Sequence, residues 1–136
     1  MPKNEVHPNW SEGNYAASLA DVISNLERHG SDMSNITLTK CWFDDIPQDG
    51  EIFVSPRIVV IDSDLYESCV DVLKFIGPRL IHGTIIIFDD WFAYDADPRE
   101  GEQRAWYEYL KDHRYIQYET LFNFGKYGKA IRITEK

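Results

Sequence analysis

The chain has 136 residues, 43% of them hydrophobic and 14% aromatic, which is enough for one domain with a core of its own and too apolar for a disordered chain. Its 23 Asp and Glu outweigh 14 Lys and Arg, for a formal charge of -9. Nucleic acid and anionic membrane surfaces both select for positive charge, so neither is expected as a partner.

Residues 1–14 are polar and interrupted by Pro2, Pro8 and Gly13. They read as an extended N-terminal arm with Trp10 as its one large anchor, ahead of a single domain over residues 15–136. No basic stretch leads into an apolar one here, and no apolar run further along approaches a membrane span. A cytoplasmic location is the expectation. From about Ala17 to His29, Leu19, Val22, Ile23 and Leu26 fall on one helical stripe. Ser18 and Asp21 make a capping box with Asp in place of Glu, and Gly30 supplies the stop.

Ile36 to Phe43 alternates and is rich in β-formers, so a strand is expected there. Trp42 and Phe43, which close it, read as core aromatics. Asp44 to Gly50 is a loop, and Glu51 to Pro56 is ambiguous. Arg57 to Asp62 is a short β-branched run, followed by a helical stripe of Leu65, Cys69, Val72, Leu73 and Ile76 that ends at Gly77 and Pro78. Cys69 lies on that stripe, and both it and Cys41 are expected to be buried, reduced thiols. Gly83 permits a turn into a second β-branched run, Thr84 to Phe88. A polar and aromatic loop leads from Trp91 to Gly101, and a helix from about Glu102 to Asp112. Tyr115 to Phe124 and Lys129 to Thr134, joined through Gly125 and Gly128, read as a hairpin. His113 falls at a helix C-terminus, where the dipole favours its charged form and a stabilising role.

Strands that alternate with helices predict an α/β fold: a three-layer, Rossmann-like, mostly parallel sheet of about five strands, with the C-terminal hairpin adding an antiparallel strand. Ligands bind such sheets at the carboxyl ends of the strands. Both β-branched runs end there in acids, Asp62 and Asp64 after the first, Asp89 and Asp90 after the second. One helix linking adjacent parallel strands brings these ends side by side. Converging carboxylates repel one another, and a hard divalent cation such as Mg²⁺ or Ca²⁺ relieves that repulsion. The four histidines are too scattered to form a zinc set. Against this stands a simpler role for the same residues, with Ser63 or Asp64 capping the helix that follows.

The stretches D-S-D-L-Y-E-S at 62–68, G-T-I-I-I-F-D-D-W-F at 83–92 and G-E-Q-R-A at 101–105 resemble class I S-adenosylmethionine-dependent methyltransferases of the macrocin O-methyltransferase type. K-C-W-F-D-D at 40–45 is similar to the G-W-F-x-D-T turn of that family, with Cys41 in place of its Gly. The resemblance implies a Mg²⁺ held by Asp62, Asp89 and Asp90, which orients the hydroxyls of a small-molecule acceptor. It places Trp42 and Phe43 near the adenine of S-adenosylmethionine and Asp62 beside the donor. Asp64, Trp91 and Phe92 would line the acceptor; packing is the other reading of Trp91 and Phe92. Arg104 is open to an ion pair with these acids or with a neighbour on its own helix surface. No catalytic base is assigned.

The family's Gly-rich donor turn after a first strand, and the acid after a second, have no counterpart ahead of the first helix. The expectation is therefore the C-terminal part of the fold, a truncated methyltransferase with the acceptor side and without the donor half, inactive or incomplete alone. The strand at 58–62 then needs a neighbour. That neighbour is expected to be the 36–43 strand or, failing that, a second copy in a homodimer or a missing N-terminal partner chain. The competing class is a non-catalytic acidic binding or homo-oligomerisation domain derived from a methyltransferase.

Overall fold

Two β-branched runs form the parallel half of the sheet. In the computed structural model, which describes residues 16–46 and 55–136, they form β1 (Ile58–Ile61) and β2 (Ile85–Phe88). These strands are parallel neighbours, with Ile61 opposite Phe88. The connection between them is α2 (Tyr66–Ile76), which runs into a 3-10 turn at Gly77–Arg79. Gly83, at φ +86°, then turns the chain into β2. After β2 come a loop of turns, α3 (Gly101–Asp112), and the hairpin strands β3 (Gln117–Phe124) and β4 (Gly128–Glu135). The sheet order is β1-β2-β4-β3.

The core forms on one face of this sheet. Side chains alternate along strands, so the register puts Val59, Ile61, Ile86, Phe88, Ile131 and Ile133 on the same side. Cys69 and Leu73 of α2 and Ala105 and Trp106 of α3 pack into that side, and the two helices pack against each other. Trp106 is fully buried, edge-on to Phe88 and Tyr118. The opposite side of β1 is open, with Ile58 and Val60 61% and 64% exposed.

The fold class differs from the expectation. The described residues form four strands, and of the neighbouring pairs only β1–β2 is parallel; β2–β4 and β4–β3 are antiparallel. The hairpin therefore enters through β4, beside β2, and supplies half of the sheet. α2 and α3 share one face where helices on both were expected. The predicted strand at 36–43 is absent: residues 36–42 have no regular structure, and Phe43–Asp45 is a 3-10 turn. Alternation describes a side-chain pattern that suits a strand, but strand formation depends on a partner. β1 has only β2 beside it among the described residues, so neither end of that expected pairing formed. Trp42 and Phe43 are correspondingly exposed, at 63% and 42%, and do not join the core.

The first helix follows its sequence signals closely. α1 (Leu19–Arg28) begins at a complete capping box, in which the Ser18 hydroxyl accepts from the Asp21 N–H at 3.1 Å and the Ser18 N–H donates to the Asp21 carboxylate at 3.2 Å. Gly30, at φ +79°, ends it. Yet none of its residues is buried. Cys69 is buried as expected, whereas Cys41 is exposed. The N-terminal arm and most of the ambiguous 51–56 segment lie outside the described residues. No helix among the described residues is long and apolar enough to cross a membrane.

Candidate functional site

The ladder between β1 and β2 decides where the acids go. Ile61 pairs with Phe88, and the Asp89 N–H extends the ladder to the Ile61 carbonyl at 3.0 Å. Asp62 and Asp89 thus leave the sheet at the same level on adjacent strands, and Asp90 follows. One carboxylate oxygen from each of Asp62, Asp89 and Asp90 lies within 4.8 Å of the others. Asp62 and Asp89 are exposed, while Asp90 is buried.

Burial and mutual repulsion both act on these groups. Burial pushes the Asp90 carboxyl up to about 7, helped by a hydrogen bond with the Asp64 side chain and by the charges of Asp64, Asp89 and Asp62. Asp62, exposed as a residue, is raised as well, first by partial desolvation of its carboxyl and then by the charges of Asp89 and Asp64. Without a cation, burial and mutual repulsion both favour the protonated form of Asp90 and Asp62. A hard divalent ion would relieve that repulsion by charge, with the oxygens arranged as ligands. The cluster is thus compatible with metal binding or with hydrogen bonding to an acceptor.

Asp64 does not cap α2. The N-cap is Leu65, and no side chain bonds there. Asp64 instead adopts a left-handed conformation, φ +57°, which Asp tolerates better than most residues. Its carbonyl accepts from the Tyr94 hydroxyl at 3.2 Å, which ties the β1–α2 turn to the loop after β2. Tyr94 in turn lies against Gly101, where a Cβ would run into its ring.

The aromatic candidates separate. Trp91 is buried in the core, with its ring 4.8 Å from that of Phe88 and the Lys129 ammonium 4.7 Å above it. Phe92 is half-buried, and its N–H donates to the Tyr127 carbonyl at 2.9 Å. Trp42 and the Phe43–Asp45 turn lie on the surface; the turn packs against α2. Arg104 turns to its own helix surface, 3.1 Å from Glu108 and with its guanidinium 3.9 Å from the centre of the Tyr66 ring. His113 closes α3, with Nδ1 2.8 Å from the Tyr109 carbonyl and the ring stacked on Tyr109.

One acid beside the cluster escaped the sequence reading. Glu102 is 1% exposed, and burial pushes its carboxyl up to about 8 against the hydrogen bonds it receives. An acid in the first turn of a helix reads in sequence as a surface complement to the helix dipole. Only the packing of α3 under the strand ends shows that this one points inward. Gln103, beside it, is also buried.

The site is therefore a set of acids at two parallel strand ends of an α/β sheet whose helices α2 and α3 pack together on one face. The structure of the O-methyltransferase NovP matches 88% of this chain with a TM-score of 0.73 at 23% identity, which establishes the fold. The chain belongs to the Macrocin-O-methyltransferase (TylF) family, whose model matches residues 3–120. It is also 36% identical over 85 residues to 8-demethyl-8-(2,3-dimethoxy-alpha-L-rhamnosyl)-tetracenomycin-C 4'-O-methyltransferase of Streptomyces olivaceus. That match takes in 62% of this chain. The chain spans 31% of that relative's length and 46% of the NovP chain.

Proposed function

We propose that this chain carries the cation- and acceptor-binding side of an S-adenosylmethionine-dependent O-methyltransferase. The observation behind the reading is the convergence of Asp62, Asp89 and Asp90 at two parallel strand ends in a chain of this family. The donor set is all carboxylate oxygen, which fits Mg²⁺ or a similar hard divalent cation and no softer metal. Such an ion, when bound, acts as a Lewis acid that lowers the pKa of a coordinated hydroxyl. Asp62, Asp89 and Asp90 would hold it. Asp64 and Phe92, beside them, would border the acceptor, and Trp91 would back that wall from the core. The relative from Streptomyces olivaceus is named for methylating a hydroxyl of a sugar-bearing small molecule, which makes a hydroxylated small molecule the acceptor class of choice.

On the donor side this chain offers Asp62 and the exposed Trp42 and Phe43, whose rings are available for stacking on an adenine. Calorimetric titration separates the two halves of the proposal. Mg²⁺ should bind to the chain and fail to bind after Asp89→Asn, and absence of binding to the unaltered chain would remove the cation reading. Heat with S-adenosylmethionine would place donor binding in this chain; none up to millimolar donor would leave the chain as an acceptor-side domain that is inactive by itself.

A second reading is favoured by one observation, the exposed Ile58 and Val60 on a strand that is at the sheet edge among the described residues. Apolar strand edges invite pairing with another chain. On this reading the chain is a non-catalytic homo-oligomerisation domain with a second copy covering β1. Sedimentation equilibrium discriminates: a dimer at micromolar concentration supports this reading, and a monomer removes it.

A further inference from the structure

A further carboxyl beside this cluster of acids ought to be a liability. Burying one is expensive unless hydrogen bonds satisfy it. Glu102 is nonetheless buried beside the cluster, at the start of α3. Its contacts explain what it does there. One oxygen accepts from the Asp90 N–H at 3.1 Å, and the other from the Ser63 hydroxyl at 3.4 Å. The Ser63 main chain donates to it as well. Ser63 directly follows Asp62, so a single side chain grips both strand ends just beyond the ladder that ends at Asp89. Gln103 adds a second grip on the same loop, donating from Nε2 to the Trp91 carbonyl at 2.7 Å. Backbone amide at residue 90 and backbone carbonyl at residue 91 are thereby both fixed by the first turn of α3.

We propose that Glu102 is a positioning residue, which clamps the Ser63 and Asp90 backbones so that the carboxylates of Asp62, Asp89 and Asp90 converge on one point. This inference rests on the reading of that cluster as a cation site. Glu102 itself is no ligand; it acts on the ligands through the main chain. Groups of this kind, one step behind metal ligands, change metal affinity by about 10- to 100-fold when removed.

The test uses the full chain and Mn²⁺ as the probe, together with amide hydrogen exchange at Ser63 and Asp90. Glu102→Met keeps the bulk and removes every acceptor. It should weaken Mn²⁺ binding about tenfold or more and speed exchange at both amides, and it should lower the melting temperature, because the Asp90 and Ser63 donors lose their buried acceptor. Glu102→Gln keeps one acceptor and should fall between Glu102→Met and the unaltered chain; if Glu102→Met does not fold, the same two readouts on Glu102→Gln decide. Unchanged Mn²⁺ affinity in Glu102→Met overturns the proposal. If the unaltered chain binds no Mn²⁺, the cation reading has failed by itself, and exchange at Ser63 and Asp90 then decides the clamp: faster exchange in the variant upholds it, and unchanged exchange overturns it.

Discussion

The two sides of β1 are built from the same residue type and have opposite fates. Val59 and Ile61 face α2, α3 and the ring of Trp106, and Ile61 is 1% exposed. Ile58 and Val60 alternate with them on the strand and stand in solvent. The same contrast separates α3, with five buried residues, from α1, with none, although α1 has the stronger amphipathic pattern and the better cap. Local pattern states what a segment is able to bury. Burial itself needs a partner, which the described residues supply on the α2 and α3 side of β1 and not on its other side. The candidate site lies where the supply is good: both strand ends, the α3 first turn and the loop after β2 are fixed by contacts within the chain.

That contrast can be broken by substitution. Trp106→Ala, on the covered side, should cost about 3–5 kcal/mol in urea unfolding, since it empties the centre of the core. A loss below about 1 kcal/mol would mean that the covered face is not the true core. The next effect comes from pH, with divalent ions removed by a chelator. Asp90 at about 7 and Glu102 at about 8 both lie above their usual values. The folded chain then binds more protons than the unfolded chain over the interval between usual and raised values. Stability should therefore fall as pH rises from about 5 to about 8 and level off beyond. A melting temperature that climbs over this range would contradict the burial of these two carboxyls. Ser18→Ala should lower the stability of α1 by about 1 kcal/mol, seen as faster amide exchange in residues 19–28. Global melting should change little, because no residue of α1 is fully buried. The smallest effect is Val60→Thr on the open side, expected within about 0.5 kcal/mol. A larger loss in that variant would show that the open face is covered in solution.

Much of the site was legible because it depends on near neighbours in sequence. Two short Val and Ile runs, one helix apart, place Asp62 beside Asp89 in any right-handed parallel crossover, and the ladder did so. The cap of α1 was legible for the same reason, as Ser18 and Asp21 are a turn apart. What failed needed distant information. Nothing between Ile36 and Phe43 states that no strand awaits it. Nothing in the hairpin sequence states that β4 slots in beside β2, which turns the sheet from mostly parallel to mixed. Asp64 carries the residue type of a helix cap, but its left-handed backbone moves the cap position on to Leu65. Glu102 drew no site reading because a helix sequence does not reveal which neighbour its first turn will meet.

On the proposed function, Asp62, Asp89 and Asp90 form one cation site. An anomalous difference map from crystals of the chain soaked in Mn²⁺ tests it most directly. The account predicts a single strong peak at the ends of β1 and β2, within bonding distance of oxygens from all three aspartates. A map with no peak there, or with manganese only elsewhere on this acidic surface, would contradict it.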